Sequence, residues 1–200
     1  MEKRFAELIG ILLGDGHIAN YNRSKRVKVT LHSEERDYCF YVSNLMETCL
    51  GVCPKIIFSK KENVVNIQIC RKEVVDFLLS IGMISSPKRN RAKIPDQYYN
   101  KKFGKFVLRG LFDTDGCLAL VNNNGYLYPR VEIKVCPSPM QLQIFSLLDL
   151  YGFHYGKYDI GNGQVRIQIN GKDNSKKWFE AIGSRNLKHL EKARAVKIVK

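Results

Sequence analysis

Two segments of the chain are apolar around the whole circumference of a helix. They are ELIGILLGDGHI, from Glu7 to Ile18, and VLRGLFDTDGCL, from Val107 to Leu118. A helix at the surface of a protein has one broad polar face, whereas these segments have apolar residues on all sides and only isolated charges such as Glu7 and Arg109. The pattern therefore predicts two helices that are buried at a central seam.

A period of two residues follows each of these segments twice, as expected of half-buried strands. The apolar positions of the four alternating runs are Val27, Val29, Leu31; Val65, Ile67, Ile69; Val131, Ile133, Val135; and Val165, Ile167, Ile169. Helical spacing separates the two runs of each half, and Gly51 and Gly152 end these helices. Each half thus predicts the element order αββαββα.

The two halves also resemble each other in sequence. Gly10, Asp15 and Gly16 return as Gly110, Asp115 and Gly116, while RVKVTLHS matches RVEIKVCP and NIQICRKE matches RIQINGKD, in the same order. Three ordered matches imply a duplication. We predict an α+β fold of two pseudo-symmetric halves, 1–86 and 106–200, joined by a basic linker at 87–105 and packed through the two apolar helices.

Charge narrows the choice of partner. The chain has 33 Lys and Arg against 19 Asp and Glu, a formal net charge of +14, which favours a polyanion such as a nucleic acid. The linker has seven of these cations and one acid, and is either a solvated segment or a phosphate contact.

The first apolar run is too short to span a membrane and lacks a signal-peptide cleavage site. We expect a soluble intracellular protein without membrane contact, in the cytoplasm, the nucleoid or an organelle.

LIGILLGDG (Leu8 to Gly16) and LRGLFDTDG (Leu108 to Gly116) resemble the two motifs of the single-chain LAGLIDADG homing endonucleases. The resemblance covers nearly the whole chain and includes Lys93-Ile94-Pro95 and the closing GSRNLKHL. It implies a monomer with internal pseudo-twofold symmetry that makes a double-strand break in a long, partly palindromic DNA target. Intron or intein homing would be its biological role.

The motifs suit this chemistry. Gly10 and Gly14, like Gly110 and Thr114, lie four residues apart, so each helix has a stripe of small residues that permits close packing. An acid at the C-terminal end of a helix opposes the helix dipole and is a poor cap. The resemblance therefore assigns Asp15 and Asp115 as catalytic metal ligands, and it places Gly14 and Thr114 in the same metal site. The expected metal is Mg²⁺, with Mn²⁺ as a substitute.

Accessory residues are less clearly indicated. Asp113 aligns with Leu13, so we interpret it as accessory or structural rather than as a primary ligand. Members of the family add basic or amide side chains near each metal, and the candidates by position are His32, Lys134, Gln68 and Gln168. Each of these four could instead be a DNA contact. The halves also differ at the aligned positions of two of them, since Thr30 aligns with Lys134 and His32 with Cys136.

The polar positions of the alternating strands predict an exposed, saddle-shaped antiparallel surface for the major groove, whose side-chain types suit base edges. The expected DNA contacts on this surface are Arg26, Lys28, Thr30, Asn66, Arg130, Glu132, Arg166 and Asn170, and those on the linker are Lys88, Arg89 and Arg91. For any single residue, the alternative is an ordinary solvated position.

Three other functions are alternatives to this one. A maturase of the same fold would bind intron RNA and assist splicing, and loss of one aspartate would favour it; both are present. A DNA-binding regulator without catalysis would carry an added helix-turn-helix domain, for which we expect no room in 200 residues. A nicking enzyme with two sites is the least favoured.

Overall fold

The computed structural model describes residues 1–21, 24–59 and 61–199, and it has two halves of the same design. The elements of the first half are α1 Glu2–Leu13, β1 Gly16–Tyr21, β2 Ser24–His32, α2 Arg36–Leu50, β3 Lys55–Ser59, β4 Val64–Ile69 and α3 Lys72–Ser80. Those of the second are α4 Gly104–Asp115, β5 Gly116–Asn123, β6 Tyr126–Val135, α5 Pro139–Leu150, β7 Gly156–Asp159, β8 Val165–Asn170, α6 Lys172–Ala181 and α7 Leu187–Ala195. The predicted αββαββα halves are confirmed, and the second half gains α7.

Each half contains one four-stranded antiparallel sheet. The strand orders are β1-β2-β4-β3 and β5-β6-β8-β7, so the two sheets have the same topology. The registers also correspond, since Val29 pairs with Ile67 in the first sheet and Ile133 with Ile167 in the second. The duplication seen in the sequence is therefore a duplication of structure.

Strand alternation determines which face of each sheet meets the helices. The alternating apolar residues of the inner strands are buried in a core that runs continuously through both halves: Val27, Val29, Leu31, Val65, Ile67, Ile69, Val131, Ile133, Val135, Ile167 and Ile169. Their polar neighbours lie on the opposite face, because successive side chains of a strand point to opposite sides.

Helices α1 and α4 form the seam between the halves. Every residue of α1 from Phe5 to Leu13 is buried, as the apolar pattern predicts. A Cβ added to Gly10 would lie 2.1 Å from the carbonyl oxygen of Val107 on α4, and a Cβ on Gly110 would lie 2.3 Å from that of Glu7. The two backbones thus touch where both helices have glycine.

The middle of the linker packs against α5 of the second half. Ala92 and Ile94 are buried, and Ile94 is fixed at both backbone polar groups: its N–H donates to Gln143 Oε1 at 2.6 Å and its carbonyl accepts from Gln143 Nε2 at 3.0 Å. A 3₁₀ helix, Asp96–Tyr98, leads into α4. Among the described residues, no helix is both long and apolar enough to cross a membrane.

Candidate active site

The C-terminal ends of α1 and α4 meet at the seam. A Cβ added to Gly14 would lie 2.1 Å from Thr114 Oγ1 and 3.3 Å from Asp115 Oδ2. Thr114 Oγ1 is itself fixed, because it donates to the carbonyl of Gly110 at 2.9 Å. The small residue before Asp15 therefore allows the Asp115 carboxylate to approach the end of the opposite helix.

The two motif carboxyl groups share one partly desolvated environment. Burial raises the pKa of Asp115 to about 6, with the negative charge of Asp15 as the next cause. Burial also raises the pKa of Asp15. Two carboxylates that repel each other inside a protein leave an excess of negative charge that a cation would stabilise.

Lys88 contributes a positive charge to the same place. Its Nζ donates to the carbonyls of Leu12 at 3.1 Å and Leu13 at 2.7 Å, and also to that of Gly14. Burial lowers the pKa of Lys88, while the charges of Asp115 and Asp15 oppose that shift. The ammonium group therefore lies at the end of α1, under the influence of both aspartates.

Lys88, one of the DNA contacts expected on the linker, thus also caps the end of α1. The last carbonyls of a helix have no intrahelical partner and carry partial negative charge, so they attract an ammonium group. Neither the repeat nor the local pattern around Lys88 signals this contact, because its partners lie more than seventy residues earlier in the chain.

The C-terminal end of α4 is capped by an asparagine, whereas that of α1 is capped by Lys88. Asn186 Nδ2 donates to the carbonyl of Asp113 and to Glu35 Oε1, both at 3.2 Å, and Lys188 Nζ donates to the same Glu35 oxygen at 3.3 Å. The charge of Glu35 is among the causes that raise the pKa of Asp15, after burial and the opposing effect of Lys88. Glu35, Asn186 and Lys188 are thus site-adjacent residues that the sequence did not indicate.

Asp113 has a structural environment. Its side chain is buried, and both carboxylate oxygens accept hydrogen bonds from the segment after α6: from Ser184 Oγ at 2.5 Å and from the Arg185 N–H at 2.8 Å. Burial raises the pKa of Asp113 to about 7, against the effect of these bonds. Of the two interpretations left open by the sequence, these contacts favour the structural one.

The four accessory candidates lie in different surroundings. His32 is exposed and lies in a cleft of about 280 Å³ together with Glu35, Asn186 and Lys188. Lys134 is exposed on β6, and Gln68 is half-buried and pairs in register with Lys28. Gln168 corrects our expectation of an exposed position: it is only 7% exposed, and its Nε2 donates to Glu132 Oε1 at 3.0 Å.

Polar contacts organise the open face of each sheet. On the first sheet, Thr30 Oγ1 donates to Asn66 Oδ1 at 2.9 Å. On the second, Glu132 lies 3.3 Å from Arg130 Nη1 and 3.9 Å from Arg166 Nε. Arg26, Lys28 and Asn170 are half-buried on the same faces, as expected of side chains that lie across a sheet. On the linker, Arg91 is exposed and Arg89 Nη2 donates to the carbonyl of Asn162 at 2.9 Å.

His17 is a further polar residue that the sequence analysis did not select. It follows Asp15 by two residues on β1 and pairs in register with Lys28. Burial lowers the pKa of His17, and the positive charges of Lys28, Arg26 and Lys88 lower it further. Its signal in the sequence is only its position after the motif, since the aligned residue of the second half is Cys117.

The donor atoms at the crossing fit a hard divalent cation. Two carboxylates face one ammonium group there, and Mg²⁺ is commonly held by one or two protein carboxylates, with water and phosphate oxygens completing its shell. Within the described ranges no cluster of three or more His, Cys, Asp or Glu side chains could hold a metal by itself. A metal at this place would therefore need oxygen ligands from water or substrate.

Comparison with known proteins relates this geometry to solved structures. No protein-family model matches the sequence, and no curated protein matches it. A mesophilic variant of the homing endonuclease I-DmoI has a TM-score of 0.67 at 18% identity, over 91% of this chain and 96% of that one. The homing endonuclease I-WcaI, bound to its DNA recognition sequence, has a TM-score of 0.66 at 14% identity, over 91% of this chain and 81% of that one.

A third similar structure is full-length DUF199/WhiA from Thermotoga maritima. Its TM-score is 0.62 at 21% identity, and the match covers 98% of this chain and 60% of that one. Both homing endonuclease structures match this chain over 91% of its length, which includes both halves. The chain therefore has the fold of the LAGLIDADG homing endonucleases.

Proposed function

We propose that this protein is a site-specific, metal-dependent endonuclease that makes a double-strand break in a long, partly palindromic DNA target. The observation that carries the proposal is the meeting of the two motif helices at Gly14 and Asp115, which places both motif carboxyl groups in one electrostatic environment. Two carboxylates at a pseudo-twofold seam suit the cutting of two antiparallel strands.

Asp15 and Asp115 are the residues that would hold Mg²⁺, or Mn²⁺ in its place, with Gly14 and Thr114 beside them. Bound there, the metal would neutralise charge on the phosphate and lower the pKa of an attacking water. Lys88 adds a fixed positive charge that the carbonyls of Leu12 and Leu13 orient, and this charge would stabilise the pentacovalent phosphate as its negative charge grows.

The open faces of the two sheets would bind the target. Arg, Lys, Asn, Gln and Glu side chains on these faces match the donor and acceptor patterns of the major groove. The net charge of +14 supports binding to a polyanion. Among the structural neighbours, I-DmoI is described in complex with DNA and Mn, and I-WcaI bound to its recognition sequence. The halves differ in sequence, so the two half-sites should differ as well.

The test is cleavage of a randomised DNA library, together with a library of intron insertion sites, in the presence of Mg²⁺, followed by sequencing of the ends. Active protein should give defined double-strand ends, and a chelator should abolish them. Asp15→Asn and Asp115→Asn should each abolish double-strand cleavage and retain DNA binding. Wild-type cutting by either variant would show that the assignment is wrong.

A further inference from the structure

A second cleft, of about 460 Å³, lies between α1, α2 and α4 and the segment after α6. None of the residues that line it belongs to a strand, so the cleft is separate from the open faces of both sheets. Its charged side chains are Lys3, Arg4, Glu7, Arg109 and Arg185. Four cations therefore surround a single carboxylate in a part of the molecule that the proposed cutting reaction does not use.

The single carboxylate is already neutralised by other residues of the protein. Glu7 is 1% exposed, accepts a hydrogen bond from the Tyr41 hydroxyl at 2.7 Å and forms an ion pair with Arg109. The Arg109 side chain is itself only 14% exposed, and its buried Nε has no hydrogen-bond partner among the described residues. The base of the cleft is thus the buried Glu7–Arg109 ion pair, in which the Arg109 Nε–H remains without a hydrogen-bond acceptor among the described residues.

The three cations at the rim of the cleft are not paired with carboxylates in the described part of the chain. Lys3, Arg4 and Arg185 are exposed, and none of them forms an ion pair within the described part of the chain. Burial and the Glu7 charge raise the pKa of Tyr41, while the positive charges of Arg109 and Arg185 oppose this rise. The charge of Arg185 therefore acts on the hydroxyl group of Tyr41, at the base of the cleft. Like charges that line one cleft repel each other, and a bound anion would relieve the repulsion.

We propose that this cleft binds a ligand through its phosphate groups. Arginine presents paired N–H donors that match phosphate oxygens, and Asn44 and Thr48 add uncharged polar groups on the wall. An excess of positive charge disfavours metal cations, and the charged rim disfavours apolar ligands. The phosphates belong either to a free oligophosphate compound or to the backbone of a single-stranded nucleic acid.

Calorimetric titration of the 200-residue protein with inorganic tripolyphosphate tests the proposal. A chelator is present, so that no metal at Asp15 and Asp115 recruits the probe. The pocket variant is Arg4→Gln/Arg185→Gln, and Lys72→Gln/Lys172→Gln, which removes two exposed charges from α3 and α6, is the matched control. We expect saturable binding that weakens about tenfold or more in the pocket variant and stays within about twofold in the control.

Equal weakening in both variants, or no saturable binding to the wild type, would overturn the proposal. Thermal melting verifies that both variants fold. If the pocket variant melts early, Lys3→Gln provides the same comparison by changing an exposed side chain alone. Competition with short single-stranded RNA then separates the two sources. RNA that displaces tripolyphosphate, and binds the pocket variant more weakly, identifies a nucleic-acid backbone; RNA that does not displace it identifies a free oligophosphate.

Discussion

Gly10 and Gly110 face each other across the seam: a Cβ on Gly110 would lie 3.0 Å from the carbonyl carbon of Gly10. No side chain separates the two helices there. Their spacing is therefore set by backbone atoms, which cannot move aside in the way that a flexible side chain can. The position of both motif aspartates depends on this contact, because each helix leads directly to one of them.

Gly10→Ala should destabilise the protein by about 3 kcal/mol, because its methyl group would require the helices to separate. Urea denaturation measures the change. Gly51→Ala is the control: its Cβ would meet nothing within 4 Å, and its positive φ of 68° makes a cost of about 1 kcal/mol the expected result. Equal losses in the two variants would contradict the close contact at the seam.

Cleavage should weaken as the pH falls through about 6. The Asp115 pKa is raised to about 6 and that of Asp15 is raised as well, so protons compete with the metal for both carboxylates on the acid side. Single-turnover cleavage at limiting Mg²⁺, followed from about pH 5 to about pH 8, measures the midpoint. More Mg²⁺ should move that midpoint to lower pH. A midpoint independent of metal concentration would contradict direct competition.

Lys88→Met should slow single-turnover cleavage by about a hundredfold and change DNA affinity little, because it removes the ammonium beside the carboxylates but keeps a long side chain. Arg91→Gln is the comparison on the same linker, with an exposed side chain. Its expected effect is the reverse: the salt dependence of DNA binding falls by about one counterion, and cleavage at saturating protein is unchanged. If Lys88→Met lowered DNA affinity and left the cleavage rate unchanged, Lys88 would be a DNA phosphate contact and not a residue of the cleavage site.

Asp113→Ala should destabilise the fold by about 1–3 kcal/mol, because the Arg185 N–H and Ser184 Oγ lose their buried acceptor. Cleavage by the folded variant should persist, in contrast to Asp115→Asn. Denaturation and cleavage on the same sample distinguish the two roles. Complete loss of cleavage in a folded Asp113→Ala protein would make Asp113 part of the reaction.

The free energy of unfolding of the wild type should also depend on pH because of Asp113. Its folded pKa of about 7 lies above the ordinary value of 3.8, so the folded chain binds the proton more tightly than the unfolded chain does. The stabilising contribution of this group is present below about pH 4 and is lost as the pH rises towards 7. Asp113→Ala should abolish this part of the pH dependence.

The sequence was most informative where structure follows from local periodicity. Alternation at Val27, Val29 and Leu31 predicted both the strand and its buried face, and the repeat predicted that the second half would have the same sheet. The repeat also identified Asp15 and Asp115 as a pair. These features need no knowledge of long-range contacts, because each is present within a short stretch of chain or in its copy.

The residues around that pair could not be predicted in the same way. Lys88 bonds to carbonyls at the end of α1, and Lys188 bonds to Glu35 across 153 positions of sequence. Leu13 and Asp113 occupy equivalent buried positions, one satisfied by packing and the other by Ser184 and Arg185. Such contacts depend on which segments the completed fold brings together.

The glycine crossing separates two properties that a DNA-cutting protein must control independently. If the protein cuts as proposed, the offset between the cuts in the two DNA strands is set by the backbone, because it depends on how closely α1 and α4 approach each other. The preferred bases are instead a matter of side chains on the open sheet faces, several residues away from the crossing. On the proposed function, substitutions on those faces would redirect the protein to a new target while the cut itself kept the same geometry.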